Sequence, residues 1–196
     1  MKLGWYGREK QPSVMSFESI INLVNNPLIS IAPICHKWKK PPCGFVKVSF
    51  GTVFAPNKTS YGMVARDEDG FVVQGGGGFK EQTLTVEWAE IYALEESLKL
   101  ARTLNISKAL FETDYSSLAN RVKKRNLDIT IMGTRIKEIH KTMENFESIS
   151  ICWTNRKCNK VANFICKDTI NKSCIWTFAM NYPDYIHALV INDSIN

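Results

Sequence analysis

From Phe45 onward the spacing of apolar residues switches between two and three-to-four, and each switch fixes the type of an element. Val46, Val48 and Phe50 alternate with Lys47, Ser49 and Gly51, the period of a half-buried strand. A second strand is predicted over 61–66 and a third over 71–79, joined by Asp67-Glu68-Asp69-Gly70. So tight a turn makes the pair an antiparallel hairpin. Leu84, Trp88, Ile91, Leu94, Leu98 and Ala101 then recur at three and four, the apolar stripe of a helix of roughly five turns. A short apolar strand over 108–113 follows, then a helix over 116–122 capped by Ser116 or Ser117. Ile131, Ile136, Ile139 and Met143 predict a helix within 128–146, and 150–154 reads as a strand. Asn159 caps a last helix whose inner side is Val161, Ala162, Ile165 and Ile170. The order βββαβααβα predicts an α/β domain: a mixed sheet of a three-strand antiparallel meander plus parallel strands, with helices packed on it.

The domain is expected over 44–174, after an N-terminal extension and linker (1–43) and before a C-terminal tail (175–196). Within the extension, a helix over 15–24 ends at Asn25-Asn26-Pro27, because the residue before proline disfavours the α region. Lys37-Trp38-Lys39-Lys40-Pro41-Pro42 is a basic, proline-broken stretch of the kind found at boundaries. Cys35, Cys43, Cys152, Cys158, Cys166 and Cys174 form no C-x-x-C pair, so they read as reduced core residues of an intracellular, non-secreted protein. No apolar run is long enough to span a bilayer. Gly75 to Gly78 precede no G-K-[ST] and open no helix, and read as a strand end or bulge rather than a phosphate loop.

Chemistry is expected beyond the carboxyl ends of the parallel strands, where open α/β sheets place their sites. Asp114 stands at such an end, and Glu90 lies on the flank of the first long helix shared with Glu87. An acid aimed from a packed helix at a strand end needs a cation or metal to offset its desolvation. Glu112 shares a strand face with Asp114 and is read as a polar strand-end residue. The net charge of +6 favours a polyanionic partner. Arg121, Lys123, Lys124 and Arg125 form one basic cluster, and Lys157, Lys160, Lys167 and Lys172 line the last helix. Arg121, Lys123, Lys124, Arg125, Lys157 and Lys160 are taken as phosphate contacts. Trp153 and Trp176 are taken as packing aromatics.

The element order, together with WAEIYALEESLKLA (88–101), FETDYS (111–116) and RKCNKVAN (156–163), resembles ribonuclease H, type 1. More narrowly it resembles the plant branch related to the ribonuclease H domains of non-LTR retroelements. That branch opens with W-x-P-P-x-G-x-x-K-x-N-x-D, which Trp38 to Gly51 resembles, carries an R-D-x-x-G turn (Arg66 to Gly70), and closes with P-x-x-I and a later Asp (Pro183, Ile186, Asp193). The likeness spans residues 38–193.

The resemblance implies hydrolysis of the RNA strand of RNA–DNA hybrids with two Mg²⁺ ions. Two hard cations about 4 Å apart need several oxygen anions to hold them while they activate water and stabilise the leaving oxygen. The family supplies four acids, and two fall on Glu90 and Asp114, the implied catalytic and metal ligands. The others fall on Gly51 and Asn163, and no Asp or Glu occurs between Pro41 and Arg66 to substitute for the first. Asp168 is five residues beyond Asn163, roughly 140° around the helix. The implied function is a ribonuclease H-like, RNA–DNA-hybrid-binding domain of retroelement descent with impaired catalysis. An active Mg²⁺-dependent endoribonuclease and a non-catalytic protein-interaction or vestigial domain are the alternatives.

Overall fold

The chain divides into two units, Met1–Ile34 and Cys35–Asn196. The computed structural model describes residues 37–124 and 129–195, all in the second unit. The helix expected over 15–24, Cys35 and Arg125 lie outside the described residues.

Three strands, β1 (Val46–Ala55), β2 (Lys58–Arg66) and β3 (Val72–Lys80), form the antiparallel meander. Helix α1 (Val86–Thr103) crosses to β4 (Lys108–Thr113), which pairs parallel to β1. Helices α2 (Ser116–Lys123) and α3 (Ile131–Met143) lead to β5 (Ser148–Trp153), parallel to β4. A single 3₁₀ turn (Arg156–Cys158) precedes α4 (Lys160–Lys172). The predicted order holds to this point. The segment expected as a tail is instead part of the domain: β6 (Trp176–Phe178) adds antiparallel to β3, and α5 (Asp184–Ile195) follows. The sheet order is β5-β4-β1-β2-β3-β6.

The two faces of the sheet carry two cores. Val48 and Phe50 pack with Ile91, Leu94, Leu98 and Ala101 of α1, together with residues of α2 and α3. On the other face Val64 of β2 joins Val161 and Ile165 of α4, and Ile186 and Val190 of α5. Trp88, expected on the core stripe, is only half-buried, while its neighbours Ala89 and Glu90 are buried. Burial of each large side chain contributes about 1.5–3 kcal/mol, which is what ties the tail segment down through Ile186. Helix α4 lies so close to the sheet that a Cβ on Gly62 would meet the Cys166 amide nitrogen at 2.6 Å, and one on Gly77 would meet Thr169 Oγ1 at 2.3 Å. The glycine run is therefore neither a loose strand end nor a bulge. It is the surface on which α4 and β6 rest, and the one irregularity of the β2–β3 pairing falls at Ala65/Arg66.

Trp38, Arg66 and Asp193, from three separate motifs, meet on one buried spot. The Arg66 guanidinium lies over the Trp38 ring at 3.8 Å, and its Nη1 and Nη2 both donate to Asp193 Oδ2 at 3.4 Å. Lys47 and Glu112 pair beside them at 3.2 Å, with Ser49 Oγ donating to the second Glu112 oxygen. Trp38, assigned by sequence to the linker, thus belongs to the domain, and Glu112 is a buried ion-pair partner rather than a strand-end polar residue. Burial pulls the Arg66 pKa down and pushes the Asp193 pKa up, each opposed by the charge of the other.

Candidate active site

The parallel pairing of β1 with β4 sets Phe50 opposite Thr113, so Gly51 and Asp114 follow at the same sheet end. Helix α1 begins with Thr85, whose hydroxyl accepts from the Trp88 amide, and its first turns bring Glu90 over that end. Glu90 is only 4% exposed. Thr52 Oγ1 donates to its Oε1 at 2.6 Å and Thr113 Oγ1 to its Oε2 at 3.1 Å. Burial pushes the Glu90 pKa up to about 7; the Thr52 hydrogen bond opposes this and the Asp114 charge adds to it.

Asp114 is held from the opposite face. Asn159 Nδ2 donates to Oδ1 at 3.4 Å, Asn163 Nδ2 to Oδ2 at 3.3 Å, and Arg156 Nε lies 3.8 Å from Oδ2. The amides are themselves positioned. Asn159 Nδ2 also donates to the Phe50 carbonyl at 2.7 Å, and Asn163 Nδ2 to the Asn159 carbonyl at 2.9 Å. A Cβ on Gly51 would lie 3.3 Å from Asn159 Nδ2, 3.4 Å from Asn163 Oδ1 and 3.7 Å from Asp114 Oδ1. Position 51 therefore points into the same spot without reaching it. The four positions assigned from sequence converge, with two carboxylates, one amide and no side chain at the fourth.

Several contributors were not read from the sequence. Thr52 and Thr113 fix both oxygens of Glu90. Asn159 was taken as a helix cap; it precedes α4, but its side chain makes no capping bond and turns into the site. Arg156, within the RKCNKVAN stretch, brings a cation to the site. Neither Ser116 nor Ser117 caps α2, which begins after Tyr115. Trp153, expected to pack, is 51% exposed, and its Nε1 donates to the Asp114 main-chain oxygen at 3.2 Å. Trp176 does pack, against Phe178.

Of the basic residues, Lys157 and Lys160 are exposed where the 3₁₀ turn enters α4, in the stretch whose Arg156 and Asn159 reach Asp114; the Lys160 charge also bears on Asp193. Arg121, Lys123 and Lys124 are exposed near the end of α2. The Glu87 pKa is held down by its own backbone amide and the Tyr115 hydroxyl, and the Arg121 charge adds a smaller push the same way. On α4, Lys172 is engaged with Asp168 at 2.8 Å.

Among the described residues, no group of three or more His, Cys, Asp or Glu side chains is placed to hold a metal ion. No helix among them is long and apolar enough to cross a membrane.

A family model described as reverse transcriptase-like matches residues 48–169. The chain belongs to that family. Among curated proteins no relative matches. Solved structures share the ribonuclease H fold with this reverse transcriptase-like domain. RNase H1 of the halophilic archaeon Halobacterium salinarum is 18% identical, with a TM-score of 0.60 over 65% of this chain and 98% of that one. The N-terminal RNase H domain of a Mycobacterium tuberculosis protein is 17% identical, with a TM-score of 0.57 over 66% and 99%. LC11-RNase H1 isolated from compost, solved with an RNA/DNA hybrid, is 16% identical, with a TM-score of 0.53 over 65% and 98%.

Proposed function

We propose that this reverse transcriptase-like domain binds nucleic acid of the RNA–DNA hybrid type and no longer hydrolyses it efficiently. The observation that carries the reading is the Asn163 amide at 3.3 Å from Asp114 beside a glycine at position 51. Two Mg²⁺ ions need a set of hard oxygen anions, and Mg²⁺ gives up its water reluctantly. The residues present do not fit such a pair of ions. They supply two carboxylates, one of them buried with a raised pKa, and Asp114 is already held by amide donors from Asn159 and Asn163 and by the charge of Arg156.

Binding is supported by the exposed Lys157 and Lys160 at the entry to α4, by the basic end of α2, and by the hybrid held by the fold neighbour LC11-RNase H1. Duplexes with RNA strands are gripped through phosphates and 2′-hydroxyls, which a basic surface serves without reading bases. The motif set supports descent from the plant retroelement branch. The buried thiols of Cys158 and Cys166 suit an intracellular site of action.

The test is incubation of the native chain with a labelled RNA–DNA hybrid in Mg²⁺ or Mn²⁺. The expected result is binding that weakens steeply with salt and leaves the RNA strand intact. Metal-dependent cleavage that disappears in Asp114→Asn would favour the active endoribonuclease instead. Absence of binding at low salt would favour a protein-interaction or vestigial role.

A further inference from the structure

We infer that Trp153 and Arg156 form a platform for one unpaired nucleotide of a nucleic-acid strand beside the acid pair. The inference rests on the nucleic-acid reading above and adds a subsite and a preference to it.

Strand β5 is an edge of the sheet, and Trp153, its last residue, is in register with Thr113, the residue whose hydroxyl donates to Glu90. The indole therefore stands one strand outward from the acids. It is 51% exposed, yet it is not loose, because its Nε1–H is spent on the Asp114 main-chain oxygen. Arg156 approaches the same residue through the carboxylate at 3.8 Å, with its side chain 74% exposed. One long ion pair leaves most of the five guanidinium donors for a ligand. A flat apolar ring and a planar cation are thus anchored on one residue, and exposed Lys157 adds a second cation next in the chain.

A ring already held in place loses little freedom when a base stacks on it, and phosphate is the natural partner for the neighbouring guanidinium. Bases inside a duplex are stacked on both faces. An indole finds a free base face only at a single strand, an overhang or a frayed end. The surface consequently fits an unpaired nucleotide and not the body of a hybrid.

The experiment compares three probes: a short single-stranded RNA, a blunt RNA–DNA hybrid, and the same hybrid with a single-stranded extension. Each is titrated at low salt against the native chain, Trp153→Ala and Trp153→Phe, with thermal melting confirming that the variants fold. The expected result is tighter binding of the extended than of the blunt hybrid. Trp153→Ala should lose about tenfold in affinity for the extended probe, within the usual range for one stacked base. Trp153→Phe, which stacks but cannot donate to Asp114, should keep most of it. Equal losses in both variants would mean that the indole acts only through its hydrogen bond, and unchanged binding in Trp153→Ala would mean that it does not act. Either result overturns the platform while leaving the nucleic-acid reading in place. Failure of the native chain to bind any probe overturns both.

Discussion

Arg66 and Asp193 form an ion pair almost closed to water that ties the end of β2 to the last helix. Their sequence motifs stand far apart, one a turn signature and the other near the end of the chain, and neither has an evident reason to be charged. The structure supplies the reason. Arg66 is capped by the Trp38 ring above and by Asp193 beside it, so the motifs describe one buried cluster read at three places.

Removing one partner of such a pair strands the other charge in the interior, at a cost of about 3–5 kcal/mol. Asp193→Ala should therefore lower the unfolding free energy measured by chemical denaturation by that amount. Replacing both members with apolar residues of similar volume should recover most of the loss. Equal stability of Asp193→Ala and the native chain would show that α5 does not depend on the pair.

Close packing of α4 on β2 makes a second prediction. A methyl group on Gly62 would collide with backbone atoms, 2.6 Å from Cys166 N and 2.7 Å from Ala162 O, which cannot rotate away. Gly62→Ala should destabilise the domain by roughly 1–3 kcal/mol, the usual cost of overpacking. Because α4 carries Asn163, the same variant should also disturb any binding at the acid pair.

Glu90 makes stability depend on pH. Its folded pKa, about 7, lies above its ordinary value of 4.5, so the native state holds the proton more tightly than the unfolded chain. Stability is then fully present below pH 4.5 and falls as the pH rises towards 7, because the unfolded state sheds its proton first. The fall attributable to this group is on the order of 3 kcal/mol. Glu90→Gln removes the titration. Denaturation followed across this window should show a flatter profile in the variant, and parallel profiles would contradict the assignment.

Phosphate contact by the entry to α4 predicts a change in salt dependence. Lys157→Ala with Lys160→Ala should weaken binding of a hybrid at low salt and reduce the slope of log affinity against log salt by about one per lost contact. Loss of affinity with an unchanged slope would place the phosphate contacts elsewhere.

Much of this was legible in the sequence because periodicity and motif order are local signals. The strands and helices through α4 follow from them, and so do the positions of Glu90, Asp114, Gly51 and Asn163. What was not legible depends on contacts between distant segments. The final stretch looked like a tail because β6 has only three residues and α5 has no clear amphipathic stripe; Ile186 and Val190 take their meaning from Val64 across the sheet. Asn159 carries the type and spacing of a cap, and only the approach of β1 turns its amide to the Phe50 carbonyl. Trp153 reads as a packing aromatic by residue type, and only its place at the end of the edge strand β5 leaves it exposed.

Glu90, Asp114, Gly51 and Asn163 hold the positions of a four-acid site with only two of its carboxylates. The most direct test is the double variant Gly51→Asp with Asn163→Asp, assayed on a labelled RNA–DNA hybrid with and without Mg²⁺. The Cβ of position 51 would stand 3.7 Å from Asp114 Oδ1, and the Asn159 amide, 3.3 Å from it, must give by a few tenths of an ångström. The double variant should cleave the RNA strand in Mg²⁺, and the native chain should not. A folded double variant that stays inert, or a native chain that cleaves as well as it does, would mean that the two missing carboxylates are not what silences the site.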